Sequence, residues 1–141
     1  MKKLVVLAAA CALSLALAGC GSGEAGTNAE PAQPADLSGT WVQVNSNSED
    51  SYQEAVISGD TIEINWISPD TKSLYWAGTY VAPTTADEPY TWVSENDTEK
   101  TSVALLASSA ETKDFTYEDG QLSYEASALG TTMTVRMERQ E

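Results

Sequence analysis

Beyond residue 36 the chain is built of short runs in which apolar and polar residues alternate. In the clearest run Ile62, Ile64 and Trp66 share one face, and the residues between them are polar. A period of two places successive side chains on opposite faces of a β-strand. The pattern therefore predicts strands with one buried and one solvated face, and helical periodicity is scarce.

Three two-residue turns allow the register of these strands to be tested. Asp119-Gly120 is a favoured hairpin turn, and similar turns are predicted at Leu129-Gly130 and Gly59-Asp60. They set apolar residues opposite each other in the pairs Tyr117 with Leu122, Phe115 with Tyr124, Ala126 with Met133, Tyr124 with Val135, Leu122 with Met137, Ile57 with Ile62 and Ala55 with Ile64. A slip of one residue would reverse every side chain, so this agreement supports the register.

Together these patterns predict an all-β domain, an antiparallel meander of eight or nine strands. Besides the hairpin around Gly59-Asp60, the candidate strands are Gly39 to Asn45, Ser73 to Val81, Tyr90 to Glu95, Ser102 to Ser108 and a three-stranded meander from Lys113 to Glu138. A closed or partly closed barrel would remove unpaired edges, and a two-sheet sandwich is the alternative. The loop at residues 68–72 could hold an odd or an even number of residues, and this number decides whether Tyr75 or Trp76 faces the interior. The sequence leaves both possibilities open.

The first 19 residues have the layout of a secretory signal peptide. Lys2 and Lys3 precede an apolar run from Leu4 to Leu17, which is shorter than the roughly 20 residues that a helix needs to span a bilayer. Residues 17–20 spell LAGC, which resembles the lipobox of bacterial lipoproteins. The resemblance implies that Cys20 receives a diacylglycerol and that the leader is removed before it. An ordinary cleaved signal with a free Cys20 is the alternative.

Residues 20–36 are predicted to be the lipidated cysteine and a flexible tether, and residues 37–141 the all-β domain. The tether is rich in Gly, Ala and Pro and has no apolar periodicity. Two acyl chains hold a protein on a membrane stably, whereas one holds it marginally. We therefore expect the domain to be displayed on the extracytoplasmic face of the cell membrane, with the anchor on Cys20 as its membrane contact.

The start of the domain carries a second resemblance. Its first residues, Leu37-Ser38-Gly39-Thr40-Trp41, are similar to the Gly-x-Trp start of lipocalins and related calycin barrels. That resemblance covers about five residues and the general strand pattern. It implies a lipocalin-like barrel in which the tryptophan packs across one end.

Charge and residue usage exclude several functions. The chain has 7 basic and 21 acidic residues, a formal net charge of −14, and loss of Lys2 and Lys3 makes the domain still more acidic. Without a basic patch it cannot gain from counterion release, so nucleic acid is not a predicted partner. A solvated surface explains the acidity, with a basic protein partner or a bound cation as the alternatives.

The sequence predicts no enzyme, cofactor or metal. There is no histidine, and the two cysteines lie at positions 11 and 20, before the domain. Carboxylates could hydrolyse glycosides, but the hairpin registers place Glu63, Asp114, Glu118 and Glu125 on outer faces. The acidic segments 45–50 and 94–99 do not match a calcium loop, so polar hairpin tips are the preferred interpretation.

Aromatic side chains are the candidate binding groups. Core packing explains most of them, and the alternative is a cavity or patch that binds a small apolar ligand, with Trp66, Trp76, Trp92 and Tyr75 as its residues. The prediction is a non-catalytic binding or interaction module on a cell-envelope lipoprotein. The alternatives are a protein-interaction or phage-defence-type surface factor that uses its acidic face, and a carboxylate-based hydrolase.

Overall fold

The computed structural model describes residues 31–141; the predicted signal peptide and Cys20 lie outside this part of the chain. It contains eight strands and one short helix. They are β1 (Gly39–Gln43), β2 (Tyr52–Ser58), β3 (Thr61–Ser68), β4 (Thr71–Thr79), β5 (Tyr90–Glu95), α1 (Thr98–Thr101), β6 (Thr112–Glu118), β7 (Gln121–Ala128) and β8 (Thr131–Arg139). Within residues 31–141 no helix is long and apolar enough to span a membrane.

All eight strands belong to one antiparallel sheet in the order β4-β3-β2-β1-β8-β7-β6-β5. The sheet curls into a nearly closed barrel, because its two edge strands meet at a bridge between Gly78 and Asn96. The indole Nε1 of Trp76 also donates to Ser94 Oγ across this seam at 3.0 Å. The all-β barrel prediction is confirmed, and a two-sheet sandwich is not formed.

Every apolar pair predicted from the three turns is present in the sheet. The inward-facing residues of all eight strands, with Leu37 and Tyr80, form one core. Its largest fully buried side chains are Trp41, Trp76, Phe115, Leu37, Ile57 and Ile62. The predicted strand from Ser102 to Ser108 is wrong, since the structure places α1 and an irregular loop between β5 and β6.

A β-bulge in β4 resolves the choice between Tyr75 and Trp76. Trp76 pairs with Ile64 but Leu74 pairs with Asn65, so Tyr75 is an extra residue opposite the partner strand. An extra residue changes which side chains point inward on either side of it. Both Tyr75 and Trp76 are therefore buried.

The two ends of the barrel differ. One end, here the Trp41 end, is where the chain arrives: Leu37 is fully buried there, and its carbonyl accepts a 2.9 Å hydrogen bond from Trp41 Nε1. The opposite end, here the Trp66 end, is formed by the connections at residues 44–51, 69–70, 96–111 and 129–130. The candidate site lies at the Trp66 end.

Candidate binding site

The structure separates the four predicted aromatic residues. Trp76 and Trp92 are core residues, and Trp92 stacks on Phe115 of the neighbouring strand at 4.9 Å between ring centroids. Trp66 is only partly buried. Its ring and that of Tyr75 form an edge-to-face pair with 5.3 Å between the ring centroids. Trp66 and Tyr75 thus share one site, while Trp76 and Trp92 fill the interior.

Trp66 and Tyr75 line an apolar pocket of about 360 Å³ at the Trp66 end. Its other walls come from the β5–β6 connection and the β7–β8 turn, with Leu105, Leu106, Ala128 and Leu129. Leu105 is 98% exposed and Leu129 is fully exposed. Monomeric proteins rarely expose large apolar side chains in a contiguous group, and such groups mark binding surfaces.

The β5–β6 connection is held over this end by specific hydrogen bonds. Asp97 caps α1 by accepting from the backbone N–H of Glu99 at 3.2 Å, as a helix start requires. The side chain of Asn96 donates to the carbonyl of Ala110 at 2.7 Å, and the backbone N–H of Ser108 donates to the carbonyl of Tyr75 at 2.8 Å. Leu105 and Leu106 are therefore presented by a loop fixed at both ends.

Leu129 is presented in an unfavourable backbone conformation. Its φ is 53° and that of Gly130 is 79°, so both central residues of the β7–β8 turn have positive φ. Asn, Asp or Gly is favoured at such positions, and a bulky side chain there costs free energy. The equivalent position of the β6–β7 turn holds Asp119. Leu129 thus combines an unfavourable backbone conformation with a fully exposed apolar side chain.

The pocket lies in an uncharged part of an acidic domain. Residues 101–110 and 126–135 contain no charged side chain. These two segments supply most of the pocket wall. An apolar partner can therefore bind here without desolvating a carboxylate, which would cost free energy.

Lys113, near the start of β6, points into the barrel behind this pocket. Lys113 Nζ donates to Tyr75 Oη at 3.1 Å and to the carbonyl of Glu125 at 2.9 Å. It also lies 5.1 Å from the ring centroid of Tyr75, 5.4 Å from that of Trp76 and 5.8 Å from that of Tyr124. Such distances are in the range of cation–π attraction.

Tyr124 connects the lysine to a buried amide. Its hydroxyl donates to Gln53 Oε1, and Gln53 is fully buried on β2, directly opposite Trp66. The other polar amide atom, Gln53 Nε2, has no hydrogen-bond partner within residues 31–141. Burial is the main cause that raises the pKa of Tyr124 well above 10.0, and the neighbouring Tyr75 adds to it.

The barrel wall is open beside Lys113. The β6–β7 pairing ends at Phe115 with Tyr124, although both strands continue towards the Trp66 end. If the pairing continued by one residue, Asp114 would lie opposite Glu125. Two like charges directly opposite each other on neighbouring strands are destabilising. The resulting gap of about 450 Å³ has Thr112, Lys113 and Asp114 on one side and Tyr124, Glu125 and Ser127 on the other.

The four candidate carboxylates do not form a buried acid–base pair. Glu63 forms an ion pair with Lys100 at 3.3 Å. Asp114, Glu118 and Glu125 are exposed on outer faces. A general acid needs a desolvated setting to keep its proton at neutral pH. In residues 31–141 no group of three or more acidic side chains is arranged to hold a metal ion.

Comparisons with protein-family models, with curated proteins and with solved structures found no match to this chain.

Proposed function

We propose that this protein is a cell-envelope lipoprotein whose barrel is a non-catalytic module that binds a small apolar ligand at the Trp66 end. One observation carries the proposal. The most exposed large apolar residues, Leu105 and Leu129, lie around a pocket backed by Trp66 and Tyr75, on an uncharged part of an acidic domain.

The energetics favour an occupant for this pocket. Burial of a fully exposed leucine is worth about 1.5–3 kcal/mol. Leu105 and Leu129 are exposed in the free domain, so that free energy is available to a ligand rather than to folding. The aromatic wall of Trp66 and Tyr75 adds a flat apolar surface of the kind that ligand pockets use.

The pocket lies at the end of the barrel opposite to the end at which the chain enters β1. The LAGC segment marks Cys20 as the lipidated residue, and the chain reaches the barrel at the Trp41 end. A tether of the predicted composition averages about 20 Å from end to end. The Trp66 end is thus the end at which the chain is not attached, which suits a binding site displayed outside the membrane.

The proposal is tested with the uncharged dye N-phenyl-1-naphthylamine and the purified full chain. Its fluorescence should rise and saturate on binding. Leu105→Ser should weaken this binding at least fivefold without lowering stability, because Leu105 is already solvated. Val81→Ser is the matched control, since Val81 is also exposed but lies beyond β4, towards the Trp41 end. No saturable rise, or equal effects of both substitutions, would refute the proposal.

A further inference from the structure

The polar layer behind the pocket has more hydrogen-bond donors than acceptors. An ammonium carries three N–H donors and no acceptor, and Lys113 uses two of them, on Tyr75 Oη and the Glu125 carbonyl. Because the Tyr75 oxygen accepts from Lys113, its own O–H proton is free to be donated to another acceptor. Gln53 Nε2 is buried without a partner.

A buried donor without a partner costs free energy, so proteins rarely keep one without a reason. Three donors carried by neighbouring side chains match a ligand group that brings acceptor oxygens and no donors. Gln53 and Lys113 are joined through Tyr124, whose hydroxyl binds the amide and whose ring lies beside the ammonium. The three donors therefore belong to one layer of the barrel interior.

This layer is continuous with the apolar pocket. Tyr75 lines the pocket with its ring and accepts the lysine hydrogen bond with its hydroxyl. Ser127 lines both the pocket and the gap at Lys113. A molecule seated against Trp66 and Leu105 can thus direct one end towards the ammonium.

Lys113 differs from the other lysines of residues 31–141 in its charge balance. Lys72 and Lys100 form ion pairs with Glu54 and Glu63, whereas Lys113 forms no ion pair with any carboxylate of the described residues 31–141. The carboxylates of Asp114 and Glu125 line the gap from the outer face and are exposed. They disfavour an anion that arrives through the gap, so the charge distribution favours the apolar pocket as the route to the ammonium.

We propose that the ligand of the Trp66 end is an amphipathic anion, with its apolar body in the pocket and its acceptor oxygens bound by Lys113, the Tyr75 hydroxyl and the Gln53 amide. This inference depends on the proposed function, because it names the class of molecule that the same pocket takes. A charge-assisted hydrogen bond in a partly desolvated setting gives the anion its advantage over a neutral molecule of equal shape.

The test compares two dyes that share an aromatic body. N-Phenyl-1-naphthylamine is neutral, and 8-anilinonaphthalene-1-sulfonate carries a sulfonate. The full chain should bind the sulfonate dye about tenfold more tightly than the neutral dye, even though its overall negative charge repels anions. Lys113→Gln should remove this preference, so that the two dyes bind about equally well. Lys113→Arg should keep the preference, because it retains the cation.

Lys100→Gln is the matched control, since it removes one positive charge from a lysine that is paired on the outer face; the preference should survive it. Thermal unfolding of each variant identifies loss of fold. If Lys113→Gln unfolds, Tyr75→Phe keeps the test decisive: it removes one proposed donor and should reduce the preference, and an unchanged preference in it overturns the inference. Equal binding of the two dyes, or a preference unchanged in Lys113→Gln, overturns the inference while the proposed function stands. Failure of both dyes to bind overturns the proposed function and the inference with it.

Discussion

The guanidinium of Arg139 lies over the ring of Trp41, with 5.1 Å between its central carbon and the ring centroid. The same side chain donates to the carbonyl of Asp36. The rings of Trp41 and Tyr117 are nearly perpendicular, with 6.1 Å between their centroids. The last residue of β8 thus fixes both the residues that lead into β1 and the tryptophan that covers this end of the core.

Arg139→Ala should lower the free energy of unfolding by about 1 kcal/mol, because it removes a cation–π contact and a hydrogen bond. Urea denaturation followed by tryptophan fluorescence measures the change. Arg136→Ala provides the comparison, since Arg136 is exposed on the same strand and is not stacked on Trp41. Equal effects of the two substitutions would show that the stacking contributes nothing.

The seam between β4 and β5 requires a glycine at position 78. A Cβ there would lie 2.4 Å from the carbonyl oxygen of Glu95 and 2.8 Å from Trp76 Nε1. Gly78→Ala should therefore destabilise the protein by about 3 kcal/mol, at the upper end of overpacking effects. Gly59→Ala is the control: Gly59 has a φ of 61° but open space around it, and the expected cost is about 1 kcal/mol. A smaller loss for Gly78→Ala than for Gly59→Ala would contradict the close seam.

The fold was predictable where hydrogen-bonded turns fix the register. The Asp119-Gly120 turn determines that Phe115 and Tyr117 face inward, and the sheet has that register. The Tyr75 bulge was not predictable, because an extra residue in one strand leaves no mark in an alternating pattern. The segment 102–108 resembled a strand by composition, but the Asp97 cap and α1 lead the chain away from the sheet.

The site was predictable only in part. The many aromatic residues in this part of the sequence indicated Trp66 and Tyr75 as binding residues, but they indicated Trp76 and Trp92 equally. In the structure Trp76 and Trp92 are buried in the core. Lys113 could have been found, because the register that turns Phe115 inward turns residue 113 inward too. The exposed leucines could not, since an apolar residue in a loop gives no sign in the sequence of whether it is covered.

Alkaline pH should destabilise the protein through Tyr124. Burial raises the pKa of this phenol well above 10.0 in the folded protein. As the pH rises past 10.0, the unfolded chain releases the Tyr124 proton while the folded protein retains it. Deprotonation stabilises the unfolded state relative to the folded state, so the free energy of unfolding falls. Below pH 10.0 both states hold the proton, and the contribution of Tyr124 to the free energy of unfolding is fully present.

Tyr124→Phe should therefore make the decline above pH 10.0 shallower. It should also cost about 1–2 kcal/mol at neutral pH, because Gln53 Oε1 loses its donor. Urea titrations at a series of pH values measure both effects. An unchanged alkaline slope would contradict a retained phenol proton at this position.

Cys20→Ser should release the protein from the membrane. Two acyl chains, at about 0.8 kcal/mol per buried CH₂, hold a protein stably, and a serine cannot receive them through sulfur. Fractionation of expressing cells should move the variant to the soluble fraction, and mass spectrometry of the parent chain should show a lipid-bearing Cys20 as the first residue. Cys11→Ser should leave the attachment unchanged. A parent chain with an intact leader or an unmodified Cys20 would refute the anchor.

Leu129→Asn should separate stability from binding. Asparagine tolerates the positive φ of this position, which is 53°, so the folded protein should gain about 1 kcal/mol. Loss of an exposed leucine removes no internal packing, because Leu129 is fully exposed. The same change should weaken binding of the neutral dye several-fold, because it removes one wall of the pocket. Asp119→Asn, at the equivalent turn position, should alter neither property much. A variant that is more stable and binds as before would show that the strained leucine has no part in recognition.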